Sequence, residues 1–199
     1  RVLICGVPNV GKSTLINTMS GKKQARAADE AGVTKDEQRI VLDSDFYLWD
    51  TPGMLWPRIS IEQSGFNLAA SGSVGRNAYD EELVALELLL ILQKHYAQNL
   101  EDRFKLGLGV EKIQTMHDDE LLEAIGRKRG CVMSGGRVNT QKAAEIVITD
   151  YRTHALGRIT LEMPQEFEQW AAVAAIADAE RAARKEAIAA AKKKGVKRW

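Results

Sequence analysis

Residues 6–13 read G-V-P-N-V-G-K-S, a glycine-rich loop that ends in Lys12 and Ser13. Backbone N–H groups in such a loop converge on a concavity that suits phosphate oxygens, and a helix N-terminus behind it adds partial positive charge. Lys12 is placed to reach the β- and γ-phosphates of a nucleotide, and the Ser13 hydroxyl is placed to ligate Mg²⁺. We therefore expect a nucleotide site. Its predicted contacts are Asn9, Val10, Gly11, Lys12, Ser13 and Thr14.

A second motif, D-T-P-G at residues 50–53, follows a β-rich run. Asp50 is predicted to hold Mg²⁺ through a water, and the Gly53 N–H to sense the γ-phosphate. Between the motifs, Thr34 supplies a hydroxyl for Mg²⁺ and the γ-phosphate. Taken singly, Asp50 is also compatible with an ordinary strand exit, and Thr34 with a surface threonine. The order of the three elements favours a GTPase switch in which Lys12, Thr34 and Gly53 serve catalysis.

Two residues beside these motifs affect the expected rate. Met54 stands where many GTPases carry the glutamine that orients the attacking water, and a thioether cannot do this. Low intrinsic hydrolysis is therefore expected. Asn9 offers a side-chain carbonyl near the phosphates, which is suited to K⁺, but asparagine also forms turns with unusual backbone angles. The residue type leaves both interpretations open.

The elements that must position these residues follow from the apolar patterns. Residues 1–6 are predicted to form a short buried strand that ends at Gly6, and residues 14–21 a helix. Two strands are predicted at residues 38–42 and 46–49, joined by a hairpin turn, after a polar segment at residues 22–35. A short helix is expected at residues 66–70.

Every long segment after residue 79 is predicted to be helical. Helices are expected at residues 79–96, 118–125 and 140–153, the second ended by Gly126 in the usual place for a C-terminal glycine. Pro164 opens a fourth helix that runs to about residue 194. This helix is expected to bury a stripe of Phe167, Trp170 and Ala174 and then to project beyond the core, because alanine dominates residues 171–191.

Composition narrows the classes of partner. The 199 residues carry 28 Lys and Arg against 27 Asp and Glu, so a net charge of +1 gives no overall bias toward nucleic acid or anionic membrane. Neither DNA nor a membrane is an expected partner, and no apolar stretch is long enough to span one. Two cysteines, Cys5 and Cys131, lie far apart without metal-ligand spacing, so a reducing cytoplasm is the expected location.

Basic charge is concentrated late in the chain, where residues 180–199 hold eight basic and two acidic side chains. Such a cluster suits RNA phosphates, although cations at a helix C-terminus are also favourable without any partner. A second basic group lies among glycines near residue 130. The predicted RNA contacts are Arg127, Lys128, Arg129, Arg181, Arg184, Lys185, Lys192, Lys193 and Lys194.

The motifs at residues 6–17, 32–34 and 50–57 together resemble the circularly permuted GTPases of bacterial ribosome assembly, in particular the RbgA/YlqF family. Residues 129–136 and 156–162 are similar to that family's C-terminal domain. In such proteins the guanine-reading motifs precede the P-loop. This order implies that the sequence begins at the second half of the permuted domain, and it accounts for the lack of an N-K-x-D or T-K-x-D tetrad here.

The resemblance implies an α/β fold, with a partial P-loop GTPase domain in permuted order at residues 1–75. An all-helical C-terminal domain at residues 76–199 is expected to bind rRNA. The implied function is hydrolysis of GTP to GDP with Mg²⁺, coupled to maturation of a large ribosomal subunit precursor. Two alternatives stay open at this point: a nucleotide-sensing RNA-binding module with negligible turnover, and a P-loop ATPase, which the D-x-x-G motif disfavours.

Overall fold

The computed structural model describes residues 1–22 and 37–196, with side chains placed as far as residue 189. Thr34 therefore lies outside the described residues, as does most of the polar segment predicted at residues 22–35. The strands are β1 (Val2–Ile4), β2 (Gln38–Asp43) and β3 (Phe46–Asp50). The helices are α1 (Lys12–Ser20), α2 (Glu62–Ala70), α3 (Glu81–Phe104), α4 (Val110–Thr115), α5 (Asp118–Lys128), α6 (Thr140–Arg152) and α7 (Pro164–Val196).

The strands form a sheet in the order β1-β3-β2. β1 pairs parallel to β3, and β2 pairs antiparallel to β3 with Ile40 opposite Leu48. The predicted hairpin is confirmed, and the Asp43 carboxylate accepts the Ser44 N–H at 2.7 Å in its turn. The alternation of strand side chains brings Ile40 and Leu48 together with Ile16 of α1 in a small buried cluster. This packing fixes α1 against the sheet.

The predicted burial of the first strand is wrong. Val2 is 40% exposed and Leu3 is 60% exposed. β1 lies at the edge of the sheet and pairs with β3 alone among the described strands, so its apolar side chains are less covered than a central strand's.

A larger apolar core lies among the helices. α3 supplies its centre with Leu89 and Leu92, and α4, α5 and α6 pack around it. Asp80 caps α3 by accepting the N–H groups of Glu82 and Leu83. The predicted end of this helix at Tyr96 is wrong, because the helix continues to Phe104 across a kink. Tyr96 is the kinked residue, with a φ of −137°.

Gly126 does not end α5, in contrast to the prediction, because the helix continues to Lys128. A Cβ on Gly126 would overlap Cγ1 of Val138 and lie 3.2 Å from Cβ of Ala143. Glycine at this position leaves room for the side chains of Val138 and Ala143 and does not mark the end of the helix.

The chain divides into two compact units. One comprises Arg1–Pro57 and Phe66–Leu161, and the other comprises Arg58–Gly65 and Glu162–Trp199. The predicted domain boundary after residue 75 does not coincide with the limits of these units and stays a prediction.

In the second unit, the segment at residues 58–65 contacts α7 and the residue Glu162 just before it. Arg58 Nη1 forms an ion pair with Asp178 Oδ1 at 2.6 Å, and the Ser64 hydroxyl donates to Glu162 at 2.9 Å. A hydrogen bond from Ser60, together with the charge of Arg58, lowers the pKa of Asp178.

The stripe predicted to be buried on α7 is only partly buried. Phe167 is 39% exposed, while Trp170 and Ala174 are half-buried. Val173 and Ile176 are more exposed still, so alanine-rich composition and not apolar burial sustains this helix. Within the described part of the chain, no helix combines the length and apolarity needed to cross a bilayer.

Candidate nucleotide-binding site

The loop at residues 6–13 connects β1 to α1, as the sequence predicts. Gly11 precedes the helix with a φ of 88°, a left-handed conformation that glycine adopts without a steric penalty. No side chain caps α1, and its first turn holds no acidic residue. The first N–H groups of the helix are therefore left for a ligand, and an anion such as phosphate satisfies them best.

Lys12 lies across this loop. Its ammonium group donates to the carbonyl oxygens of Gly6, at 3.2 Å, and Val7, at 2.8 Å. The charge is thereby held over the concavity of the loop, where phosphate oxygens can replace the two carbonyls as acceptors. Val10 and Thr14, two further predicted contacts, are exposed on the same loop and at the start of α1.

Ser13 and Asp50 meet at the end of the sheet. The Ser13 hydroxyl donates to Oδ2 of Asp50 at 3.1 Å, although 37 residues separate the two in sequence. Asp50 is 1% exposed, and its other oxygen, Oδ1, is buried without a hydrogen-bond partner. A buried carboxylate oxygen without a protein partner is costly, so this atom suits a cation or a cation-bound water as its partner. The donor set, a hydroxyl and a carboxylate, fits Mg²⁺.

Gly53 lies directly against the phosphate-binding loop. A Cβ on Gly53 would lie 2.6 Å from Cα of Pro8 and 2.7 Å from its nitrogen. The Met54 N–H donates to the Gly6 carbonyl at 3.3 Å, and the Thr51 hydroxyl donates to the Ile4 carbonyl at 2.8 Å. The backbone at Gly53 therefore joins the D-x-x-G motif to the glycine-rich loop in one site.

Met54 is 70% exposed, and Trp56 is 67% exposed. Neither side chain is anchored in the protein interior. As expected from its thioether chemistry, Met54 does not serve as a residue that orients the attacking water.

Asn9 makes a contact that the sequence did not indicate. Its side-chain nitrogen donates to the Gly72 carbonyl at 2.8 Å, and its backbone adopts a φ of 58°. Gly72, Arg152 and Asn9 also line a cleft of about 440 Å³. No local pattern signals Gly72 or Arg152 as neighbours of the loop, because both lie far along the chain.

Two of the basic side chains near residue 130, those of Arg127 and Arg129, are engaged within the chain. Arg129 pairs with Asp150 at 3.1 Å, and its guanidinium lies 5.1 Å from the ring centroid of Phe104. Arg127 donates to the Gly136 carbonyl at 3.3 Å and pairs with Glu123 at 3.5 Å. Arg129 thus has an intramolecular role. RNA contacts by Arg127, Lys128 and Arg129 stay predictions.

The predicted contacts on α7 fall into two groups. Arg181, Arg184 and Lys185 are exposed. The side chains of Lys192, Lys193 and Lys194 lie outside the described residues. None of these RNA contacts is tested by the geometry.

The β1-loop-α1 unit, with Asp50 and Gly53 against it, defines a P-loop nucleotide-binding domain with the switch motif of GTPases. Residues 1–123 match the model of the family described as 50S ribosome-binding GTPase, and the chain belongs to this family. The predicted fold class, an α/β GTPase portion followed by helices, is confirmed.

Curated relatives support the same assignment. The Priestia megaterium protein named ribosome biogenesis GTPase A is 41% identical over 85% of this chain. A Thermotoga maritima protein of the same name is 30% identical over 83% of the chain. The chain spans 57% of the length of each of these relatives. The resemblance to RbgA/YlqF proteins is confirmed.

Two solved structures share the fold. YlqF from T. maritima, bound to GNP, has a TM-score of 0.56 and 28% identity, covering 82% of this chain and 59% of its own. A GDP-bound YlqF has a TM-score of 0.58 and 27% identity, covering 83% of this chain and 61% of its own.

Proposed function

We propose that the protein hydrolyses GTP to GDP and phosphate, and that this chain supplies the phosphate-binding and switch residues. The observation that carries the proposal is the buried Asp50 carboxylate, whose Oδ2 accepts from Ser13 and whose Oδ1 has no partner. The family match supports a guanine nucleotide over ATP. Specificity for guanine is inferred from the family alone, because this sequence holds no base-reading tetrad.

Each residue has a distinct role in this proposal. The uncapped N–H groups of α1 and the Lys12 ammonium hold the β- and γ-phosphates. Gly53 offers its N–H to the γ-phosphate, and only glycine allows its backbone to lie so close to Pro8. Loss of the γ-phosphate would release this contact and allow the segment after Gly53 to move. A Thr34 contact to Mg²⁺ and the γ-phosphate stays a prediction.

Mg²⁺ fits the Ser13 and Asp50 donors, and when bound it neutralises negative charge on the β- and γ-oxygens. The Ser13 hydroxyl would turn one lone pair toward the cation while Asp50 Oδ1 accepts from a cation-bound water. K⁺ at Asn9 also belongs to the proposal. Its support is that the Asn9 nitrogen is engaged by Gly72, which leaves the oxygen as the available ligand atom.

Hydrolysis is expected to be slow in the absence of a partner. Met54 is exposed and offers no hydrogen bond to water, so the activating group must come from elsewhere. The same observation favours a second candidate function, a nucleotide-sensing RNA-binding module with negligible turnover. Phosphate release stimulated by the ribosome would support the enzyme over the sensor.

We further propose that the protein is an assembly factor for the large ribosomal subunit precursor, contacting rRNA in a nucleotide-dependent way. The names of the family and the relatives support the ribosomal partner. Exposed Arg181, Arg184 and Lys185 on α7 provide cations that suit phosphate contacts. A cytoplasmic location, with neither DNA nor a membrane as partner, stays a prediction.

The nucleotide proposal is tested by Asp50→Asn in the full-length protein, with Asp45→Asn in the exposed hairpin turn as control. We expect Asp50→Asn to weaken Mg²⁺-dependent binding of a fluorescent GTP analogue by about tenfold or more. Binding in EDTA should change little, and Asp45→Asn should match wild type. Unlabelled GTP should displace the analogue, and ATP should not. Equal binding by both variants, or displacement by ATP, would contradict the proposal.

The RNA proposal is tested by charge reversal of Lys192, Lys193 and Lys194 to Glu. The matched control reverses Lys112, Lys142 and Arg158, which are exposed elsewhere. We expect only the first triple variant to lose co-sedimentation with large-subunit precursors at moderate salt, because phosphate contacts depend on local cations. If both triple variants lost co-sedimentation equally, the change in net charge would be the cause, and the assignment of RNA contacts to α7 would be refuted.

A further inference from the structure

The turn that ends α2 has a fixed geometry. Gly72 has a φ of 82°, its N–H donates to the Ala69 carbonyl at 3.0 Å, and the Ser73 N–H donates to the Leu68 carbonyl at 2.9 Å. This pair of bonds is the Schellman arrangement of helix C-termini, in which glycine takes the left-handed position. The direction of the Gly72 carbonyl is therefore set by the turn.

Arg152, the last residue of α6, donates hydrogen bonds to this turn. Its Nε donates to the Ala70 carbonyl at 2.8 Å, and its Nη2 donates to the Ala69 carbonyl at 2.7 Å and the Tyr79 hydroxyl at 3.0 Å. A cation at the negative end of a helix is also favourable electrostatically. A Cβ on Gly72 would lie 3.4 Å from the guanidinium carbon, so Arg152 packs directly beside the turn.

The other side of the turn faces the phosphate-binding loop. The Gly72 carbonyl accepts from the Asn9 side-chain nitrogen at 2.8 Å. A carbonyl oxygen can only accept, so the nitrogen of the Asn9 amide must face Gly72 and its oxygen must face away. The same bond braces a residue whose φ of 58° is uncommon outside glycine.

We propose that Arg152 is a positioning residue for the phosphate-binding loop, acting through Gly72 to fix the amide of Asn9. The inference rests on the proposed GTPase function. The fixed amide keeps Oδ1 available as a neutral oxygen ligand for a monovalent cation beside the nucleotide. Arg152 touches neither nucleotide nor cation in this scheme. Because Arg152 acts through Asn9, substitution of Asn9 should abolish the effect of substituting Arg152.

The test is a double-mutant cycle in the full-length protein with Arg152→Gln, Asn9→Ala and the double variant. Arg158→Gln, an exposed arginine six positions further along, is the control, and Arg152→Lys keeps the cation. GTP hydrolysis is measured in KCl and in NaCl at matched ionic strength. We expect Arg152→Gln to lower the K⁺ to Na⁺ rate ratio about tenfold, in the range found when outer partners of a ligand are lost. Arg152→Lys should recover part of the ratio, and Arg158→Gln should equal wild type.

The cycle separates positioning from general destabilisation. If Arg152 acts through Asn9, Arg152→Gln should lower the ratio no further in the Asn9→Ala background. Additive losses, or a wild-type ratio in Arg152→Gln, would overturn the inference while leaving GTP hydrolysis intact. Hydrogen exchange of amides at residues 6–13 in nucleotide-free protein gives a second readout, and Arg152→Gln should speed it. If Arg152→Gln left the exchange unchanged, the inference would be overturned, whether or not the wild-type protein hydrolyses GTP. If the wild-type protein hydrolysed no GTP, only the proposed function would be refuted.

Discussion

Replacing Gly53 with alanine should separate the two motifs of the nucleotide site. The added Cβ would lie 2.6 Å from Cα of Pro8 and 2.7 Å from its nitrogen, whereas ordinary contacts are 3.4–4 Å. Both atoms belong to the backbone, so no side-chain rotation relieves the overlap. The two backbones must move apart by about 1 Å, because close-packed interiors hold no spare volume.

The size of the effect follows from this displacement. Overpacking of this kind costs about 1–3 kcal/mol of unfolding free energy. A misplacement of about 1 Å at a reacting centre lowers rates about 10²-fold, so hydrolysis should suffer more than stability. Because the Gly53 N–H is proposed to meet the γ-phosphate, affinity for a GTP analogue should fall by about tenfold, or about 1.4 kcal/mol. Affinity for GDP, which has no γ-phosphate, should fall less.

The assay is fluorescence titration of the full-length protein with GDP and with a non-hydrolysable GTP analogue, followed by phosphate-release kinetics. Gly65→Ala is the matched control, because a Cβ there would lie 3.8 Å from Cγ2 of Ile59, an ordinary contact. Gly65 is inside α2, where alanine is favoured over glycine by about 0.5–1 kcal/mol. If Gly53→Ala bound the GTP analogue like wild type, the proposed contact between Gly53 and the γ-phosphate would be refuted.

Three further substitutions test the helical part by denaturant unfolding of the full-length protein. Gly126→Ala places a Cβ against Cγ1 of Val138 and should cost about 1–3 kcal/mol of unfolding free energy; an unchanged midpoint would contradict this overlap. Asp150→Asn weakens the carboxylate that accepts from Arg103 at 2.7 and 2.8 Å. Its cost should be about 1–3 kcal/mol, because Arg103 remains 35% exposed and solvent offsets part of the loss. If Asp45→Asn, at an exposed position, lowered the unfolding free energy equally, a specific contribution of the Asp150–Arg103 ion pair would be excluded. Glu101 accepts the Gly107 N–H at 2.7 Å and those of the next two residues, which lowers its pKa below the ordinary 4.5. The stabilisation is present above that ordinary value and is lost as pH falls through the lower folded value, so Glu101→Gln should destabilise the protein at about pH 6 and by progressively less as pH falls below 4.5. If the difference in unfolding free energy between Glu101→Gln and wild type did not change with pH, the charge of Glu101 would be excluded as the cause.

Local sequence determined the elements of the site and the residues at their ends. The loop at residues 6–13 was predictable because glycine spacing, Lys12 and Ser13 act over a few consecutive residues. The hairpin before Asp50 was predictable for the same reason, since a turn sets the pairing of the strands beside it. The longer helices were located by periodicity, but the short helix α4 was not predicted, and the ends expected at Tyr96 and Gly126 were wrong.

Only the tertiary structure decided which of these residues meet. Asn9 and Gly72 lie 63 positions apart, and Arg152 and Ala70 lie 82 apart, so no local pattern encodes their contacts. Arg129 shows the same limit, since nothing in the local sequence indicates its ion pair with Asp150. A sequence motif specifies groups that act within one turn or loop. Contacts between distant groups depend on how complete elements pack, because packing minimises the free energy of the whole chain and not of any one segment.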